Sequence, residues 1–326
     1  MTEAEFPDRR LRRNRYKPAM RRLVRETNLS KDDLIQPIFV KESLDEPVEI
    51  ETLPGQKQHT VDSAVEEIHR CEAAGLPGVI IFGIPAQKDA TGSSAAFEDG
   101  IVQKTIRKAQ KQTGDILLIA DVCLCQYTDH GHCGILAGKE VNNDATIDRL
   151  AEISLSLADA GADVIAPSDM MDGRVQKIRK TLDKNNFLRV SILSYAVKYA
   201  SSFYGPFRGA AESAPGFGDR SSYQMDPANG REALCEASQE AKEGADWLMV
   251  KPALPYLDII SRLRNNFHLP LAAYCVSGEY TIIETAARKE LIERTPAIIE
   301  TLTSIKRAGA DAILTYWARE VAEEIG

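Results

Sequence analysis

AGADVIAPSD (160–169), EGADWLMVKP (243–252) and AGADAILTYW (308–317) are three versions of one joint: a Gly, an Asp, and then an apolar run. Each follows an amphipathic, helix-length segment, and Gly suits the left-handed residue that ends a helix. The apolar runs are continuous rather than alternating, as in strands covered on both faces. Five more such runs lie outward from these joints, LIQPIFV (34–40), GVIIFGI (78–84), ILLIADVCLC (116–125), RVSILSYAVK (189–198) and LPLAAYCVSG (269–278). Eight strand candidates separated by helix-length segments predict an α/β fold, a (β/α)8 TIM barrel, with its chemistry where the strands' C-terminal ends meet the following loops. The alternative is an open doubly wound sheet. No GxGxxG follows any strand, which counts against a dinucleotide site.

Composition agrees with a packed globular chain. Of 326 residues 44% are hydrophobic and 27% charged, so a sizeable core can form, and the net charge of −8 excludes a globally basic nucleic-acid binder. No apolar run is long enough to span a bilayer and no secretory signal is evident, so a soluble, cytoplasmic protein without membrane partners is expected. The basic stretch RRLRRNRYKPAMRRLVR (9–25) precedes the first strand, and Pro18 is expected to interrupt a continuous helix there. We therefore expect residues 1–30 to form an N-terminal arm that packs on a neighbouring subunit, residues 31–326 a single barrel domain, and the Gly/Pro-rich stretch 201–230 an ordered cover over the active site.

Three of the six cysteines crowd into one place. Asp121, Cys123 and Cys125 fall at the end of the third strand, and Cys133 follows after seven intervening residues, His130 and His132 among them. Alternation places Asp121 and Cys123 on one face, joined by Cys125 if the strand stays extended. Three thiolates suit Zn2+ and leave a fourth position open, as in a catalytic site, unless His132 closes it. Cys71, Cys235 and Cys275 read as isolated residues.

A second signal is the pair Lys198 and Lys251, each closing an apolar strand. Either alone reads as a strand-end residue whose stem snorkels. Two at one rim position lower each other's pKa and make an amine nucleophilic toward a carbonyl, the requirement for Schiff-base chemistry. Arg208, Arg220 and Gln224 in the 201–230 stretch, Ser277 ending the seventh strand and Tyr316 in the eighth are candidate carboxylate holders. Two such sockets and two amines suggest two keto acids.

DVCLCQYTDHGHCG (121–134), APSDMMDGR (166–174), SYAVKYASSFYGPFR (194–208), GDRSSYQMDPAN (218–229), MVKPALPYLDI (249–259) and YCVSGEY (274–280) together resemble the 5-aminolevulinate dehydratase (porphobilinogen synthase) family, zinc-dependent type, over nearly the whole chain. The resemblance implies condensation of two 5-aminolevulinate molecules to porphobilinogen with loss of two waters, in tetrapyrrole (heme and chlorophyll) biosynthesis. It implies a Schiff base on Lys251 with one substrate, held by Ser277 and Tyr316, and binding of the second at Lys198 with its carboxylate on Arg208, Arg220 and Gln224. It further implies Zn2+ on Cys123, Cys125 and Cys133, hydrogen-bonding roles for Asp121 and Ser168, a regulatory Mg2+ at Glu236, and a homo-octamer joined through the arms. Gln126 departs from the Pro that follows the second Cys in many members. Two other readings stand beside this one: a one-lysine barrel aldolase, which has no use for the cysteines, and a zinc-bearing barrel that binds RNA through the arm.

Overall fold

The computed structural model describes residues 6–325. Eight parallel strands form a closed barrel: β1 (Leu34–Lys41), β2 (Gly78–Ile84), β3 (Leu117–Val122), β4 (Val164–Pro167), β5 (Ser191–Lys198), β6 (Trp247–Lys251), β7 (Leu271–Tyr274) and β8 (Ala312–Leu314). Closure comes from pairing of β8 with β1, Leu34 opposite Ile313 and Ile35 opposite Leu314. The unbroken apolarity of the strands has its reason here, because β2 is buried along its whole length between the barrel interior and the helix layer. The expected (β/α)8 barrel is the observed one.

The repeated joint does more than turn the chain. Gly161, Gly244 and Gly309 have φ of 103°, 104° and 120°, a region closed to most side chains, and each lets a helix end turn back into a strand. The Asp two residues later then clamps the preceding strand. Asp163 donates its backbone N–H to the Leu118 carbonyl at 3.0 Å and accepts the Leu118 N–H on its carboxylate at 2.9 Å. Asp246 does the same to Ile192 (3.0 and 2.8 Å), and Asp311 to Leu271 (2.7 and 2.9 Å). Each carboxylate thus fixes the register of its strand pair at the end of the barrel opposite the strand termini that carry the lysines.

The N-terminal segment carries a 3-10 turn at Leu11–Arg15 and a helix at Pro18–Leu23, neither with a buried residue. No continuous helix runs through the stretch, as expected: Lys17 is extended and Pro18 opens the second element, whose first turn has no use for its missing N–H. The long connection after β5 is folded: a 3-10 turn at Ser202–Tyr204, a helix at Gly205–Ala210, and a return in which Met225 donates to the Lys198 carbonyl and Ala200 donates to that of Met225. Among the described residues no helix is long and apolar enough to cross a membrane.

Asp163→Ala removes the acceptor for a buried amide and is expected to cost about 1–3 kcal/mol, read as a lower urea midpoint. Asp159→Ala, at an exposed ion pair with Arg107, is expected to stay within about 0.5 kcal/mol.

Candidate active site

At their last residues β5 and β6 pair Val197 with Val250 and Lys198 with Lys251. Lower down, Ser194 pairs with Leu248, so four residues of β5 cover the rise of three on β6. This bulge decides the site, because without the extra residue Lys251 would face Val197. With it, the two lysines leave the sheet side by side at the barrel mouth, each only 5% exposed.

Their surroundings differ. Lys198 Nζ donates to the Ser168 carbonyl at the end of β4. Lys251 Nζ stands among aromatic rings, 4.4 Å from the centre of Tyr274, 5.0 Å from Phe207, 5.1 Å from Tyr195 and 5.3 Å from Tyr204. Burial, and then the neighbouring Lys198 charge, push the Lys251 ammonium down to about 7, against the opposing pull of Asp121. At neutral pH roughly half of this amine is therefore uncharged, against about one part in 10³ to 10⁴ for an ordinary lysine.

Several buried polar atoms of the residues around the barrel mouth lack a protein hydrogen-bond partner, among them Asp121 Oδ1, Arg208 Nε, Arg220 Nε and Gln224 Nε2. Buried polar groups are rarely left unpaired, so these residues are candidates for contact with a polar ligand. Asp121 keeps one bond, Oδ2 accepting from Gln126, and burial raises its carboxyl above the usual range. Arg220 is anchored by donating to the Gly131 and Ser213 carbonyls. Across the mouth Ser277 opens a helix rather than ending a strand; its hydroxyl donates to Phe203 O at 3.2 Å and accepts the Phe207 N–H at 3.0 Å. Tyr316 lies two residues past β8, and its hydroxyl accepts from that of Tyr274 at 3.2 Å.

Strand β3 ends at Val122, so the three cysteines lie in the loop beyond it. The loop turns back at once, with the Tyr127 and Thr128 N–H groups both on the Leu124 carbonyl, and this brings Cys133 to the other two. All three sulfurs lie within 4.8 Å of one another, and none is exposed. A tetrahedral zinc with bonds of about 2.3 Å places its sulfurs about 3.8 Å apart, so the triad fits such an ion. Hydrogen bonds from Cys123 and Cys125 hold the Cys133 thiol well below its ordinary value, while the Cys123 and Cys125 thiols are shifted up. His132 does not join them. Its Nδ1 is bonded to the Tyr223 hydroxyl and its Nε2 to the Phe217 carbonyl, both at 3.1 Å.

Glu236 is elsewhere, on the outer helix Glu232–Glu243, lining a cleft with Asn143 and Asp172. Burial raises its carboxyl, and the Asp172 charge adds to the effect against the pull of Arg174.

The profile described as Delta-aminolevulinic acid dehydratase matches residues 8–324. The chain belongs to the delta-aminolevulinic acid dehydratase family. It is thus an enzyme of the hydro-lyase class. The delta-aminolevulinic acid dehydratase of Methanothermus sociabilis is 54% identical over 98% of this chain and all of its own length, and that of Bacillus subtilis 49% over 96% and 97%. A crystal structure of the Toxoplasma gondii dehydratase, in complex with the reaction product porphobilinogen, superposes with a TM-score of 0.95 at 42% identity, covering 97% of this chain and 91% of that one.

Of the predicted residues in this dehydratase, Lys198, Lys251, Asp121, Ser168, Arg208, Arg220, Gln224, Ser277, Tyr316 and the three cysteines lie at or beyond the strands' C-terminal ends, and Glu236 lines an outer cleft that Gln224 also borders. The aromatic cage of Tyr195, Tyr204, Phe207 and Tyr274 escapes sequence inspection, because aromatic residues inside or beside apolar runs look like core. So does Arg174, 2% exposed, whose guanidinium bonds Glu240 at 2.6 Å and the Met171 carbonyl at 2.9 Å, tying the loop after β4 to an outer helix.

Labelling of Lys251 by a small amine-reactive reagent, followed by peptide mass spectrometry across pH, is expected to reach half its maximum near pH 7. The neutral amine reacts, so labelling rises with pH; Lys198→Met removes the like charge and is expected to move that midpoint upward.

Proposed function

We propose that the enzyme joins two molecules of 5-aminolevulinate into porphobilinogen with release of two waters, using Lys251 and Lys198 as amine nucleophiles. The observation that carries this reading is the pairing of these lysines on adjacent strands, one of them buried so that its ammonium is pushed down to about 7. A dehydrating condensation of two amino ketones needs two carbonyl-directed amines within one cavity. A one-lysine aldolase does not.

In this mechanism Lys251 Nζ attacks the ketone carbon of one substrate, and the carbinolamine loses water to give an iminium. The positive nitrogen acidifies the neighbouring carbon, whose proton is lost to leave an enamine, the carbon nucleophile for the second substrate. Ser277 and Tyr316 hold the first substrate's carboxylate, Ser277 exchanging its bond to Phe203 for one to the ligand. The second substrate binds at Lys198, with its carboxylate on Arg208, Arg220 and Gln224, whose unpaired N–H groups suit a bidentate anion. Asp121 Oδ1 and Ser168 supply hydrogen bonds between the two amines.

Cys123, Cys125 and Cys133 would hold zinc, which supplies Lewis acidity toward the second substrate's carbonyl or amine. The RNA-binding alternative leaves the two lysines and the unpaired polar atoms without a purpose. We further propose a regulatory Mg2+ at Glu236 and a cytoplasmic homo-octamer in which residues 1–30, with Phe6, Leu11, Tyr16 and Leu23 exposed on this protomer, pack on a neighbouring subunit, while 201–230 covers the site.

Borohydride with 5-aminolevulinate is expected to trap a covalent adduct on Lys251, located by peptide mass spectrometry; full inactivation with Lys251 unmodified would refute the role given to it. A chelator is expected to abolish porphobilinogen formation and added zinc to restore it, whereas Cys123→Ala remains inactive with zinc present. Equal product with and without the chelator would remove the metal from the mechanism.

A further inference from the structure

Glu279 is a buried carboxylate that the mechanism above leaves unused. It is 2% exposed and lies in the first turn of the helix Ser277–Arg288. Its two oxygens serve different segments. Oε2 accepts the N–H of Val276, the residue before that helix, and Oε1 accepts the N–H of Leu254, in the loop that follows Lys251. One side chain therefore ties the loop after β6 to the helix end that presents Ser277. Burial raises its carboxyl to about 8, against the backbone N–H groups of Val276, Leu254 and Ala253 and the Lys251 charge, all of which favour the ionised form.

The position calls for a carboxylate. Both neighbours are donors, and an ionised carboxylate accepts at both oxygens, whereas an amide of the same shape must turn its NH2 toward one of the two N–H groups. Closing the helix end does not require the charge, since Gln serves as Glu does at the third position of a helix. The charge is accounted for by the second bond, across to the β6 loop.

Lys251 itself is placed by other means, its register with Lys198 and its carbonyl, which accepts from the Tyr199 N–H at 3.0 Å and from the Tyr204 hydroxyl at 3.1 Å. The bridge thus positions the helix relative to the lysine. That helix governs more than Ser277, because Tyr280 packs edge-on against Tyr316 with ring centres 5.4 Å apart. Of the two bonds that the Ser277 hydroxyl makes, the one to Phe203 is exchanged for the substrate; the Glu279 bridge does not involve that hydroxyl and persists.

We propose that Glu279 is a positioning residue that fixes the separation between Lys251 Nζ and the Ser277–Tyr316 carboxylate socket, and so selects substrates whose ketone and carboxylate are two methylenes apart. This inference rests on the proposed roles of Lys251 and Ser277. 5-Aminolevulinate has that spacing. A longer acid brings its ketone or its carboxylate into place but not both, and misplacement of about 1 Å at a reacting carbon can cost on the order of 100-fold.

The test is the rate at which borohydride traps ketones on Lys251 of the full-length protein, read by peptide mass spectrometry at about pH 9, where Glu279 is ionised and Lys251 neutral. 4-Oxopentanoate has the substrate's spacing without its amine, 5-oxohexanoate adds one methylene, and 2-pentanone carries a methyl group in place of the carboxylate. The wild-type chain is expected to prefer 4-oxopentanoate to 5-oxohexanoate by about tenfold or more, and Glu279→Gln by about twofold or less, with 2-pentanone trapped within about twofold of the wild-type rate. A general loss of structure slows all three probes alike. Glu279→Asp, which keeps the charge but is one methylene short of spanning both N–H groups, carries the same expectation and serves if the Gln variant does not fold. A wild-type preference kept by the variant, or 2-pentanone slowed in step with 4-oxopentanoate, overturns the proposal. No adduct on wild-type Lys251, or 4-oxopentanoate trapped there no faster than 2-pentanone, overturns instead the role given to Lys251 or to Ser277, and this inference with it.

Discussion

Everything at the barrel mouth depends on one register. A single extra residue in β5 between Ser194 and Lys198 brings Lys198 level with Lys251, and two amines that would otherwise be offset stand side by side. Parallel strands fix their neighbours' heights through the backbone ladder, so this alignment is imposed by the fold and not by the lysines, whose mutual repulsion opposes it. The Asp246 clamp on Ile192 pins the far end of the same strand pair, and Met225 bonds the Lys198 carbonyl at the near end.

Given that alignment, a difference in environment separates the two amines. Lys198 has a carbonyl to donate to, whereas Lys251 is surrounded by aromatic faces. Ring faces attract a cation weakly compared with water, and the adjacent amine opposes the charge, so the balance shifts toward the neutral amine. The same burial raises the carboxyl of Asp121. The burial that lowers a lysine's pKa thus raises a carboxylate's, and Arg208, Arg220 and Gln224 keep buried N–H groups without a protein partner.

The sulfur triad is built on another principle. Its members come from one loop, which reverses locally at Leu124–Thr128 and is held from outside by Tyr223, Arg220 and Gly216. Gln126 lies inside that reversal, which is how a residue adjacent to a sulfur can reach back to the carboxylate five positions earlier. The triad and the amine pair meet through Asp121, at the end of β3.

Much of this was legible in the sequence, for physical reasons that can be named. The eight apolar runs and the Gly-Ala-Asp joints follow from burial on both strand faces and from the left-handed helix end, which are local constraints. The close spacing of Cys123, Cys125 and Cys133 made their chemistry local as well. What the sequence did not hold was decided by distant partners. The β5 bulge depends on pairing with β6; Ser277 begins a helix, its hydroxyl held between the Phe203 carbonyl and the Phe207 N–H; and His132 is taken up by Tyr223 and Phe217, some ninety residues away. Tyr195, Tyr204, Phe207 and Tyr274 carry no mark that separates a cage from a core. The sequence by itself determined which chemical groups are available and which strands carry them; the tertiary structure decided which of them touch, because register and loop return are set by contacts between segments that no local pattern records.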